Sequence, residues 1–202
     1  MRYKRSQLED AICKANRAER GAVRTKLLAR IKRLLDVDRT LASKRGANLR
    51  QRLAFFSEER RGTGQEASFA EYEIFALDVA LRLAMHGIQQ TDIVEILRQL
   101  RPQLEVRHRK LLANRFDFEM PQPVVRISDH RVFLSVSAAD SSAPYKTDNG
   151  FTAALLEGGT EWWNHVFSQT GKAATIVEIT FIPAELRELL HAIKPRKKGR
   201  PS

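Results

Sequence analysis

The sequence predicts an α+β fold, a mainly helical N-terminal part followed by a small α+β part. Two observations about period carry this prediction. Through the first two-thirds of the chain, apolar residues recur three and four apart, the spacing that lines one face of a helix. Past Pro121 and Pro123 the period shortens toward alternation, and β-branched residues gather at 132–136 and 175–181. The third observation concerns charge. The net charge is +11, but it is unevenly placed. Residues 1–61 hold 18 Lys/Arg against 7 Asp/Glu, residues 62–193 hold 12 against 17, and residues 194–202 hold 5 against none. An acidic centre between two basic ends is the footprint expected for a polyanion partner, because each neutralised phosphate releases counterions.

The elements follow in order. Leu8, Ile12 and Ala15 space a helix over 6–20. Its apolar stripe is thin, which suggests an arm that becomes helical on docking, and Gly21 interrupts it. Leu27, Leu28, Ile31, Leu34 and Leu35 share one side of a stronger helix over 23–35. Asp36-Val37-Asp38 reads as a turn whose Asp38 caps a helix over 39–45. Two aromatic-bearing segments, 54–57 and 66–69, flank a basic loop with Gly62 and Gly64, the pattern of a β-hairpin. Ile74, Leu77, Leu81 and Ala84 predict a helix over 70–85, ended at Gly87. Ile93, Ile96, Leu97, Leu100 and Leu104 predict another over 91–104, bent or restarted at Pro102 and extended toward Asn114. After a linker at 116–123 come strands at 124–127 and 132–136, and then a polar loop over 138–149. A helix over 151–167 (broken at Gly158-Gly159), a strand over 175–181 and a helix over 184–193 complete the reading. The implied organisation is a basic arm (1–22), a helical domain (23–115), the linker, an α+β domain (124–193) and a basic tail (194–202).

Several function classes find no support. The single cysteine, Cys13, excludes an internal disulfide and a Cys-rich zinc site. It is either activated by Lys14 and Arg17 or a small apolar filler. No run approaches the roughly 18 apolar residues of a membrane span. The basic start, Met1 to Arg5, leads into a charged amphipathic stretch instead of an apolar signal core, so cytoplasm is the expected compartment. His86, His108, His130, His165 and His191 are isolated, without metal-ligand spacing. Asp36 with Asp38, and Glu58 with Glu59, are explained by turns and caps. Trp162-Trp163 either stacks on bases or anchors the C-terminal core. No catalytic residue, metal or cofactor is expected.

A helix, tight turn, second helix and hairpin with arginines at its tip is the order of a winged helix-turn-helix, whose second helix enters the major groove. The stretch Glu71-Tyr72-Glu73-Ile74-Phe75-Ala76-Leu77, continuing through Leu81-Arg82-Leu83, His86-Gly87-Ile88 and Asp92-Ile93-Val94-Glu95-Ile96-Leu97, resembles the helix pair that follows the wing in the MerR family. The resemblance spans about residues 25–104, and the chain is also similar to proteobacterial proteins that imply no function. Three MerR features are missing: an Arg-aromatic pair between Arg39 and Phe56, the long C-terminal dimerising helix, and the effector-binding cysteines of metal-sensing members. The end of the chain, Lys194-Pro195-Arg196-Lys197-Lys198-Gly199-Arg200-Pro201-Ser202, resembles an AT-hook, with Lys198 where the core tetrad has arginine. Glycine lets such a backbone press into a narrow A/T-rich minor groove, with cations along it.

The expected function is therefore DNA binding, as a transcriptional regulator or nucleoid-associated protein. The expected contacts are Arg24, Lys26, Arg30, Arg33, Arg39, Lys44, Arg45, Arg50, Arg52, Arg60 and Arg61 on the winged domain, with Arg196, Lys197, Lys198, Gly199 and Arg200 on the tail. The partner is double-stranded DNA, A/T-rich if the tail is a hook. The α+β domain is left for partner contact or oligomerisation, a homodimer among the options. The competing reading is a non-enzymatic module, such as a mobile-element accessory protein, whose basic ends bind RNA or an acidic protein.

Overall fold

Strand β1 (Arg2–Lys4) pairs antiparallel with β2 (Ser68–Ala70), setting Tyr3 opposite Phe69. Both rings are buried, and the Tyr3 hydroxyl donates to Glu71 Oε1 at 3.3 Å. This is a computed structural model, and it describes residues 1–44, 53–56, 67–113, 131–138, 146–158, 164 and 174–194. Within them are five helices and two sheets, an α+β architecture.

Helix α1 (Arg5–Ala15) follows β1 directly. Its Leu8, Ala11, Ile12 and Cys13 are fully buried, so residues 1–22 are packed into the body and do not form the arm suggested by the thin stripe. A narrow apolar face suffices because it lies against two later helices, Glu71–Met85 and Ile182–Ala192. The helix ends at Asn16 by a Schellman arrangement: Ala18 N–H donates to Cys13 O at 2.8 Å and Arg17 N–H to Lys14 O at 3.0 Å. The left-handed position of that motif, usually glycine, is Arg17, with φ of 52°.

Helix α2 (Gly21–Lys44) runs unbroken through the expected turn at Asp36-Val37-Asp38, so there is no helix-turn-helix in this region. Asp38 explains the error. An aspartate in a helical register reads as a cap when its side chain has no visible partner, but this one is fully buried and finds partners from elsewhere. Its Oδ1 accepts from Ala54 N at 3.1 Å and its Oδ2 from Phe55 N at 3.0 Å. Arg98 Nε donates to Oδ1 at 2.8 Å, and an Arg98 terminal nitrogen lies 2.7 Å from the same oxygen. Residues 53–56 form no strand, and β2 pairs with β1 instead of with them, so the described ends of the expected hairpin do not pair with each other. Its tip, with Arg60 and Arg61, lies outside the described residues.

Helices α3 (Glu71–Met85) and α4 (Gln90–Ala113) form the expected pair, joined through Gly87, whose φ of +83° only glycine adopts without strain. Glu73 at the third position of α3 accepts from Ala70 N at 2.7 Å, closing the helix start. α4 continues through Pro102 instead of restarting there, since Arg101 on one side of it is held to the 53–56 segment and Leu104 on the other is buried.

The second sheet has the order β4-β3-β5, all antiparallel, with β3 spanning Val132–Ala138, β4 Phe151–Glu157 and β5 Ala174–Glu178. The segment expected to begin a helix at 151 is strand β4. Thr152, Ala153, Ala154, Leu155 and Leu156 form an apolar run too short to declare a period. Pairing with β3 from Phe151↔Ala138 to Glu157↔Val132 settles it. The turn before β4, with Gly150 at φ +79°, is docked on α4: Asn149 Nδ2 donates to Asp92 Oδ1 and Oδ2 at 3.1 and 3.0 Å, and Asp148 N to Glu95 Oε2 at 3.2 Å. The expected strand at 124–127 and linker at 116–123 lie outside the described residues.

Helix α5 (Ile182–Ala192) returns to the N-terminal helices. Arg187 donates to Glu71 Oε2 through Nε at 3.0 Å and a terminal nitrogen at 2.8 Å. Gln7 Nε2 on α1 donates to Ile193 O at 3.1 Å. Buried side chains from Tyr3 to Leu190 thus join one core that includes both parts of the chain. Removing the Asp38 carboxylate would leave the Arg98 guanidinium buried without its counter-ion. Asp38→Ala is therefore expected to lower stability by about 3–5 kcal/mol in urea unfolding, whereas Arg30→Gln on the exposed face should stay within about 0.5 kcal/mol.

Candidate nucleic-acid interface

An α-helix places residues i, i+4 and i+7 on one face. In α2 the buried side is set by Leu27, Ile31, Leu34, Leu35, Asp38 and Ala42. Lys26, Arg30 and Arg33 fall together on the opposite half and are exposed, with Lys32 exposed on the other flank. The stripe from Lys26 to Arg33 is about 10 Å long at 1.5 Å per residue. N-terminal to it, at the α1–α2 corner, Lys14, Arg17 and Arg20 are exposed as well. None of these seven cations forms an ion pair among the described residues. Residues 14–33 carry eight Lys/Arg against one acid, Glu19.

The fold separates the expected contacts into three groups. Lys26, Arg30 and Arg33 are brought together and left open to solvent. Arg24 and Arg39 are engaged within the chain. Arg24 donates to Asp10 Oδ1 at 2.6 Å, an interaction that raises its already high pKa, and so braces α2 against α1. Arg39 lies over the Phe56 ring at 4.6 Å and 3.8 Å from Asp36. It is thus part of the packing around the 53–56 segment and not at the tip of a reading helix. Lys44 is the last residue of α2, and its side chain lies outside the described ones. Arg45, Arg50, Arg52, Arg60, Arg61, Arg196, Lys197, Lys198, Gly199 and Arg200 all lie outside the described residues. Lys14, Arg17, Arg20 and Lys32 were missed as contacts. The signal that would have found them is local charge density across a helix–helix corner, independent of any motif.

Arg17 has a further peculiarity. A non-glycine residue at φ of 52° is disfavoured by about 1 kcal/mol, and the exposed side chain gains no packing in return.

Two of the groups with catalytic potential, Cys13 and His108, are packed in the core. Cys13 is fully buried, and burial raises its thiol pKa, which fits the apolar-filler reading and not an activated thiol. His108 is buried against Phe75 and Tyr72, with ring centroids 5.1 and 5.8 Å away. No cluster of three or more His, Cys, Asp or Glu able to hold a metal occurs among the described residues. Nor is any described helix long and apolar enough to cross a membrane. Trp162 and Trp163 lie outside the described residues. No known protein family, curated protein or solved structure matches the chain.

Burial pushes the His108 imidazole down from 6.5 to about 4, because desolvation disfavours the charged ring. Between those values the unfolded chain takes up a proton that the native state refuses. Stability is therefore full above about pH 6.5 and is lost as the pH falls toward about 4. His108→Phe, which keeps the ring contacts, should show a shallower loss than the parent chain over that interval in denaturant midpoints. Parallel curves for the two proteins would refute the assignment.

Proposed function

We propose that this chain binds double-stranded DNA through its phosphates, as a regulator of transcription or a nucleoid-associated protein, and not as an enzyme. The observation that carries this reading is the patch of seven exposed cations, none of them in an ion pair among the described residues, on the α1–α2 corner and the outer face of α2. Ordinary surface charge comes mixed in sign, and long side chains pair where partners are near. Here acids are few: Glu19 lies among the cations and Asp36 beside them, while Asp10 holds Arg24, Asp38 holds Arg98 and Asp78 holds Arg82. The stripe's length of about 10 Å matches the axial rise of about three nucleotides of one strand. Lys26, Arg30 and Arg33 would track the backbone, while Arg17 and Arg20 extend the contact across the corner. The AT-hook-like tail would add cations of its own.

Phosphate contacts position a protein without specifying sequence. With Arg39 occupied by Phe56, this reading assigns no base-reading residue on α2, and affinity should vary little among mixed-sequence duplexes. Removal of the tail 194–202 is the place to look for an A/T preference.

Salt dependence tests the proposal. Replacing Lys26, Arg30 and Arg33 together by glutamine should lower the slope of log affinity against log salt by about 2.7, at about 0.9 per phosphate. An unchanged slope, no duplex binding by the parent chain, or equal affinity for structured RNA would each count against it. Arg17→Gly separates charge from conformation. It should raise stability by about 1 kcal/mol while weakening duplex binding; a stabilised variant that binds as tightly as the parent would remove Arg17 from the interface.

A further inference from the structure

Charge also gathers in a cleft of about 570 Å³ between α1, the first turn of α2 and the end of α5. Lys14, Arg24 and Lys194 line it from three different elements, with Asp10 and Glu19 beside them. Lys14 and Lys194 are exposed, and neither has an ion pair among the described residues. Arg24 is held in place by its 2.6 Å bond to Asp10. That bond uses one terminal nitrogen, and a guanidinium has five N–H donors in a rigid fork, so the rest of the fork can serve another acceptor.

The position of Lys194 is fixed from behind. Gln7 on α1 accepts from Lys4 N through its oxygen at 3.1 Å and donates to Ile193 O through its nitrogen at 3.1 Å. The root of the basic tail is thereby tied to the side of α1 that faces the cleft. The first turn of α2 contains no acidic residue, so the positive end of the helix is not offset there. Asp10 and Glu19 reduce the local charge, but the remainder of the 14–33 stretch is basic throughout.

We propose that this cleft seats a phosphate group, with Lys14 and Lys194 as flexible point charges and Arg24 as the hydrogen-bonding fork. A backbone phosphate of the duplex is the source suggested by the proposed function, and that choice of source rests on it. The seat would make the α2 stripe and the tail one continuous contact surface. A free phosphorylated small molecule presents the same chemistry.

The test uses the full chain and two probes. Sodium pyrophosphate is titrated while backbone amide chemical shifts are followed, against sodium chloride at matched ionic strength. Saturable shifts at residues 14, 19–24 and 192–194 are expected, and they should vanish in the doubly substituted Lys14→Gln, Lys194→Gln chain. The same double substitution should lower the salt slope for a duplex by about 0.9, the share of the one phosphate seated there. Pyrophosphate shifts with an unchanged duplex slope, or in a chain that binds no duplex, support the seat and assign it to a free phosphorylated ligand. Shifts equal to those in chloride, or indifferent to the double substitution, overturn the seat even if duplex binding holds. Both lysines are exposed, and an unchanged spectrum elsewhere verifies the fold of the variant.

Discussion

The contact between Asp38 and Arg98 organises the helical part of this chain. A carboxylate in the C-terminal third of α2 meets a guanidinium of α4 out of reach of water, and both would be costly to bury alone. Their remaining capacity is spent on backbone. Asp38 takes the N–H groups of Ala54 and Phe55, and Arg98 also donates to the Asp38 carbonyl. Arg101, one turn further along α4, donates to the carbonyls of Leu53 and Phe56 and lies over the Tyr72 ring at 5.3 Å. An irregular four-residue segment with no ladder of its own is therefore satisfied by charged side chains from two helices. That arrangement holds Phe55 and Phe56 in the core and fixes how α2 lies against α4, which in turn decides which face of α2 remains open to solvent.

How legible the fold was depended on how local its causes were. The α3–α4 pair could be read because its apolar spacing and Gly87 act within a few residues of each other. The same holds for β5 and α5. Where the partner is distant, the sequence misleads. Asp38 looks like a cap until residues sixteen and sixty positions away supply its bonds. Three residues at the start form a strand only because Ser68–Ala70 offer an edge. The 151–157 run has no clear period, and pairing with β3 along its whole length makes it β.

The candidate interface was legible in outline and not in detail, for a related reason. A count of Lys and Arg locates the basic stretch but cannot tell which cations the fold consumes. Arg24 and Arg39 sit in the same stretch as Lys26 and Arg33, yet the first pair braces the structure and the second faces water. What distinguishes them is the position of an acid or a ring on another element. Conversely, Arg17 draws no notice from any motif; local charge density and its left-handed backbone mark it.

The bond from Gln7 to Ile193 joins residues 186 positions apart. On a ribosome, then, the first helix cannot reach its final packing until the last one has been made. During synthesis the side chains of Leu8 and Ile12 must wait, with the apolar faces of α1 and α3 uncovered, for Leu186 and Leu190 to arrive. Completion of the basic corner is in this sense a late event, timed by the synthesis of α5 and not of α1.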